Sequence, residues 1–248
     1  MNMQPRVLFV PTWLISPDAC EALPAIRSAL EDLRKRFTVD VFAWPWVAGG
    51  KSSANGLSGT AEQLRASMSQ DCHVVTMGSG TVNLLIALDG NEELAASLTC
   101  AGFSVPPATL RSLDRPSVAS GASAMFRWKS SYQYVRLVMP GADEEVWTEA
   151  AKVLDRDVDW QRAGVTLQEM EECDLEVSGP RVSAIPALYL DSPLSVAGFA
   201  EMTEIFLRYV PQAKVEELAA WPGRMQDSET GRDLSRKVIA FIEAVEAG

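Results

Sequence analysis

The side chains able to do chemistry are few and easily enumerated. The 248-residue chain holds a single histidine, His73, and four cysteines, at 20, 72, 100 and 173. One histidine excludes any zinc site that needs two, and it leaves one candidate for the base of a Ser-His-acid triad. The cysteines form no CxxC pair and show no regular spacing, so they read as reduced, mostly buried thiols and not as a disulfide framework. Two glycine-rich turns remain. Gly50-Lys51-Ser52 has the end of a phosphate-binding loop, but Pro45 stands where that loop needs its first glycine, and residues 53–59 do not open a strong helix. Gly78-Ser79-Gly80 follows an apolar run and precedes a helical one. As a dinucleotide fingerprint it lacks the third glycine, because position 83 is asparagine. Residue types and their spacing therefore imply no metal and no cofactor.

Composition narrows the partners. With 22 Lys+Arg against 33 Asp+Glu the formal net charge is −11. An acidic protein of this kind lacks the basic face that phosphate backbones require, so nucleic acid is excluded. The first apolar run, Val7 to Val10, is cut short by Pro11, and no stretch reaches about 18 apolar residues, so neither a signal peptide nor a membrane span is expected. The cytoplasm is the expected compartment.

The elements that must position these residues alternate. Apolar runs at 7–10, 38–44, 72–77, 98–105, 185–190 and 213–218 read as strands. Residues 19–36, 60–69, 82–88, 200–209 and a last stretch with Leu234, Val238, Ile242 and Val245 read as amphipathic helices. This order predicts an α/β architecture with a mainly parallel central sheet and helices on both faces. Between Pro106 and about Pro180 the strand alternation stops, and Trp128, Tyr132, Tyr134, Trp147 and Trp160 appear among charged helical segments. The expected division is a core formed by 1–105 and 181–248 with a helical insertion at 106–180.

The segment His73 to Thr81 is laid out as strand, sharp turn and helix. It resembles the nucleophile elbow, G-x-S-x-G, of the α/β-hydrolase superfamily. The resemblance extends over nearly the whole chain. Residues 7–16 (VLFVPTWLIS) are similar to the first central strand and the oxyanion-hole loop, 38–53 to the strand and glycine loop before the elbow, 106–180 to a cap, 185–190 to the strand before the catalytic acid, and 221–231 to the loop that bears the histidine.

The departures are chemical. In one register Gly78 takes the nucleophile position; shifted by one, Ser79 takes it, with Met77 and Thr81 in the glycine positions. The acid position falls near Ser195, with Asp191 close by. Where the family has histidine after a glycine, Gly223 is followed by Arg224, which stays protonated and cannot act as a base. His73 lies at the opposite end of its strand, about 20 Å from Ser79 at 3.3 Å per residue.

The resemblance then implies a hydrolase scaffold without its triad. It would bind a small, largely apolar molecule under the cap and use an oxyanion-type site for a lyase, isomerase or cyclase step. Ser79 and Arg224 are the expected catalytic residues, with Arg224 facing a carboxylate, enolate or phenolate. Thr12, Trp13, Trp44, Met77, Gly78 and Ser195 are the expected substrate-binding residues. Trp46, Met125, Phe126 and Trp128 are further wall candidates. Two other functions fit the same residues: a non-catalytic binding or interaction scaffold, and an ester or thioester hydrolase that uses Ser79 with an unusual base. An aromatic-rich cap edge allows a homodimer without predicting one.

Overall fold

A computed structural model describes residues 4–50, 56–103, 131–136, 142–172, 181–191, 202–218 and 226–248. Six strands form one sheet: β1 (Arg6–Val10), β2 (Thr38–Val41), β3 (Cys72–Gly78), β4 (Ser97–Phe103), β5 (Ala187–Asp191) and β6 (Lys214–Glu217). Every pairing is parallel, and the spatial order is β2-β1-β3-β4-β5-β6. The apolar continuity of the central strands explains their place. In β1 Val7 to Val10 and in β3 Cys72 to Met77 are all buried, as strands covered on both faces must be. The edge strands β2 (TVDV) and β6 (KVEE) carry exposed and charged residues instead, which blunts the sheet's open edges.

The helices are α1 (Pro17–Ala22), α2 (Pro24–Arg34), α3 (Gly56–Ser67), α4 (Gly80–Leu88), α5 (Glu144–Asp157), α6 (Trp160–Glu172), α7 (Met202–Tyr209) and α8 (Ser228–Ala247). The stretch 19–36, expected as one helix, is two. Leu23 precedes Pro24 and sits in extended backbone (φ −88°, ψ 115°), because the proline ring disfavours helical conformation in the residue before it. The strand expected over 38–44 ends at Val41, since the chain then turns to carry Trp44 and Trp46 inward.

Helices α2 and α8 pack closely. A Cβ at Gly231 would lie 1.8 Å from the Ala25 carbonyl oxygen, so only glycine permits this approach. There Ser28 Oγ donates to the Ser228 carbonyl at 2.7 Å. On the other side of the chain's order, α5 and α6 fall between β4 and β5 in sequence and are tied to the loops after β1 and β2. Ser16 Oγ donates to the buried Asp157 carboxylate at 2.6 Å, and the Asp159 N–H donates to the Trp46 carbonyl at 2.7 Å. A Glu169 carboxylate on α6 accepts from the Leu57 N–H at the start of α3, at 2.7 Å. No helix among the described residues is long and apolar enough to cross a membrane.

Candidate functional site

The strand order decides where a site can form. From β1 the chain crosses outward to β2, then returns past β1 to β3 on its other side. The carboxyl ends of β1 and β3 therefore flank the point where the winding reverses, and open parallel sheets bind ligands in the crevice outside such a point. Thr12 follows β1 and Ser79 follows β3, so this topology brings two residues 67 positions apart to one place.

The turn after β3 fixes the register of the elbow. Gly78 has φ +56°, a left-handed conformation that glycine adopts without a Cβ penalty. Ser79 follows at φ −69°, ψ −17° as the N-cap of α4. Gly78 is thus the residue at the apex of the sharp turn, and Ser79 is the residue after it. Gly80 then lets α4 start against the exit of β1. A Cβ there would lie 2.5 Å from the Pro11 carbonyl oxygen and 2.9 Å from Cζ2 of Trp44.

At the reversal point three hydroxyls form a chain. Ser79 Oγ and Thr12 Oγ1 are 3.1 Å apart, and Thr12 Oγ1 and the Tyr134 hydroxyl are 3.3 Å apart. Tyr134 comes from helical residues 131–136 and is buried. Burial pushes its pKa up to about 12, although the hydrogen bond with Thr12 opposes that rise. The phenol is therefore a neutral donor throughout the physiological range. Three hydroxyls carry three protons, and the two bonds between them use two, so one O–H remains to point at a guest. The backbone N–H groups of Thr12, Trp13 and Ser79 donate to no carbonyl among the described residues. What this arrangement can do is donate hydrogen bonds to an oxygen that carries, or develops, negative charge. Among the described residues no carboxylate or imidazole is bonded to any of the three hydroxyls.

The single histidine is occupied elsewhere. His73 is the second residue of β3, at the amino end of the sheet; its Nδ1 lies 2.9 Å from Ser97 Oγ and its Nε2 lies 3.1 Å from Glu246 Oε1. Burial lowers its pKa, with the Glu246 carboxylate partly offsetting the shift. Both ring nitrogens are partnered, and the ring is held at the far end of the strand from Ser79. The described cysteines are equally unsuited to nucleophilic work. Cys20, Cys72 and Cys100 are buried and free, and burial raises the pKa of each thiol, for Cys100 to about 12. Thiols held protonated in apolar surroundings are unreactive.

The remaining expected residues separate into two groups. Met77 is buried in β3, and Trp13, Trp44 and Trp46 form one packed aromatic cluster. The rings of Trp44 and Trp46 stack at 5.5 Å, and those of Trp13 and Trp46 meet at 4.8 Å. Trp44 is fully buried, its indole N–H donating to the Pro11 carbonyl at 3.2 Å, and Trp46 donates to the Trp13 carbonyl at 2.7 Å. These two indoles spend their donors holding the β1 exit in place; they position Thr12 rather than offer a polar edge to a guest. Asp191, at the end of β5, accepts from Thr203 Oγ1 at 2.9 Å. Arg224, Ser195, Lys51, Ser52, Met125, Phe126, Trp128 and Cys173 lie outside the described residues. Among the described residues no group of three or more His, Cys, Asp or Glu side chains is placed to hold a metal.

Tyr134 was not among the expected site residues. Residues 130–134 (SSYQY) carry no motif, and the contact with Thr12 spans 122 positions, so no local signal marks it.

No protein-family model matches the chain, and no curated protein matches it. Solved structures do. A hydrolase from Oleispira antarctica is 17% identical, with 98% of this chain and 92% of that one covered and a TM-score of 0.70. An epoxide hydrolase from Bacillus megaterium is 13% identical over 96% and 93%, TM-score 0.64. A haloalkane dehalogenase variant from Bradyrhizobium elkanii is 15% identical over 100% and 91%, TM-score 0.64. Together with the strand order and the elbow, these similarities show that the chain has the α/β-hydrolase fold.

Proposed function

We propose that this α/β-hydrolase-fold protein binds a small, largely apolar molecule at the carboxyl ends of β1 and β3 and acts on it without hydrolysis. The chemistry would pass through a stabilised oxyanion, as in a lyase, isomerisation or cyclisation step. The observation that carries this is the Ser79–Thr12–Tyr134 hydroxyl chain, which holds donors at the site and, among the described residues, no carboxylate or imidazole bonded to them. A serine hydroxyl without an adjacent base is almost never ionised near neutrality and stays a poor nucleophile. Gly78 at the apex supports the same reading, since the position that carries the nucleophile in the elbow has no side chain here. Ser79 would contribute its N–H and hydroxyl, Thr12 and Tyr134 their hydroxyls, and Arg224 a permanent positive charge at the mouth. Residues 106–180 would act as the cap, and Ser195 would border the same space. The known hydrolases and dehalogenase with this fold bear on the scaffold only.

The test uses p-nitrophenolate as an apolar oxyanion, with its absorbance band reporting binding, together with p-nitrophenyl esters and a fluorophosphonate probe. The expected result is saturable phenolate binding, weakened about tenfold by Thr12→Val or Tyr134→Phe, roughly the worth of one lost charge-assisted hydrogen bond. Neither ester turnover nor covalent labelling is expected. Labelling at Ser79 that disappears in Ser79→Ala would overturn the proposal in favour of an atypical hydrolase. Absence of phenolate binding would overturn it in favour of a non-catalytic scaffold.

A further inference from the structure

A cavity lies away from the hydroxyl chain. It has a volume of about 440 Å³ and is half-enclosed between α1 and α5, with Val135 at one side. Its floor is apolar: Ile15, Ala19, Leu23, Val146, Val153 and Leu154. The volume is within the range of small-molecule sites, which pair an apolar lining with a few placed polar groups. Here the placed groups are carboxylates. Glu145 and Glu149 both line the cavity, and their spacing of four sets them one turn apart on the same face of α5. Glu149 is shared with Lys152 on the same helix. Glu145, in the first turn of α5, pairs with no described residue, so the rim keeps one negative charge without an ion-pair partner above an apolar floor.

We propose that this groove is a binding site for a small cationic amphiphile, an amine carrying an alkyl or aryl body, with the apolar part between α1 and α5 and the ammonium at Glu145. Charge complementarity selects this occupant. A fatty-acid anion would meet two carboxylates, and a neutral alcohol would leave Glu145 without an ion-pair partner. Apolar burial supplies most of the affinity, and the rim supplies the choice among head groups, as exposed charge pairs contribute little on their own. The site is independent of the oxyanion reading, because neither Thr12, Ser79 nor Tyr134 lines it.

Calorimetric titration with octylammonium, 1-octanol and octanoate, each below its micelle concentration and at low salt, tests this. Octylammonium is expected to bind about three- to fivefold more tightly than octanol, with octanoate weakest, and the preference is expected to shrink with salt. Glu145→Gln is expected to abolish the preference for octylammonium while leaving octanol unchanged. Ala22→Trp, at an exposed alanine of the lining, is expected to remove binding of all three. Thr12→Val is expected to leave octylammonium binding intact, which separates failure here from failure of the oxyanion site. Absence of saturable octylammonium binding, or a preference that survives Glu145→Gln, would overturn the proposal. Glu145 is on the surface, so its Gln variant remains decisive even if Ala22→Trp does not fold.

Discussion

Replacing Gly80 by alanine probes the contact on which the site's geometry depends. The added Cβ would lie 2.5 Å from the Pro11 carbonyl oxygen and 2.9 Å from Cζ2 of Trp44. One neighbour is backbone and the other a fully buried ring, so neither can move aside cheaply. Pushing an extra carbon into such a place costs about 1–3 kcal/mol. Moving the Pro11 carbonyl also threatens the indole hydrogen bond from Trp44, now 3.2 Å, worth about 1 kcal/mol. Against these stands a gain of about 1 kcal/mol, because alanine favours a helix over glycine. The balance is a loss of about 2 kcal/mol, or roughly 4–8 °C in Tm for a chain of this size. Urea denaturation followed by tryptophan fluorescence measures the loss, and the same variant should weaken phenolate binding, since Pro11 precedes Thr12. A Gly80→Ala protein as stable as the parent, with unchanged binding, would refute the claim that α4 presses against the β1 exit. Gly90→Ala is the control: its Cβ would meet nothing within 4 Å, so it reports only the cost of φ +66°, about 1 kcal/mol.

Three further outcomes follow from the same structure. Tyr134 has a folded pKa raised to about 12 against about 10 when unfolded, so the unfolded chain loses its proton first; stability should be unaffected below pH 10 and fall between pH 10 and 12 by up to about 2 kcal/mol, with Tyr134→Phe removing that slope in denaturation curves. Asp157→Ala should cost about 2–3 kcal/mol, because it strips the buried partner from Ser16 Oγ at the point where α5 meets the N-cap of α1; denaturant midpoints check it. Gly78→Ser should yield no ester hydrolysis above background, since the only histidine is bonded to Ser97 and Glu246 at the other end of β3, and it should cost about 1 kcal/mol for a side chain at φ +56°.

The strands, their parallel pairing and most helices were legible because apolar runs of four to eight residues between helical stripes leave few alternatives. The break at Leu23–Pro24 was equally written in the chain, but the stripe of Leu23, Ile26, Leu30 and Leu33 continues across it and concealed it. The histidine's irrelevance to the elbow followed from strand rise alone, and the structure adds what it does instead. The site was legible only where it is local. The sharp turn at Gly78 could be placed from glycine spacing, but which residue takes positive φ could not, since two registers fitted the same letters. Trp44 and Trp46 are expected as cavity walls because aromatic residues near a predicted site suit apolar ligands. Their indole bonds to Pro11 and Trp13 are backbone contacts that no side-chain pattern encodes. Tyr134 was beyond reach for the same reason: a hydroxyl meeting Thr12 from 122 positions away depends on how the helices between β4 and β5 settle on the sheet.

Those helices connect stability with chemistry. Tyr134 reaches Thr12 only while the segment between β4 and β5 stays against the core, to which it contributes Leu154, Val158 and Trp160 and which it also grips through polar contacts. Ser16 holds Asp157, the Trp46 carbonyl holds Asp159, and the start of α3 holds Glu169. Each anchors on a different core element: the loop after β1, the loop after β2, and α3. Two of these three, the Ser16 and Trp46 anchors, lie on the loops that also carry Thr12 and the tryptophan cluster beneath it. The same contacts that dock the segment therefore also fix the β1 exit. A hydroxyl chain assembled across two such parts is held at both ends, by α4 under Ser79 and by the docked helices around Tyr134. Preorganisation of this kind is what the proposed oxyanion site requires. Stabilisation of an oxyanion depends on donors that are already in position when the charge appears.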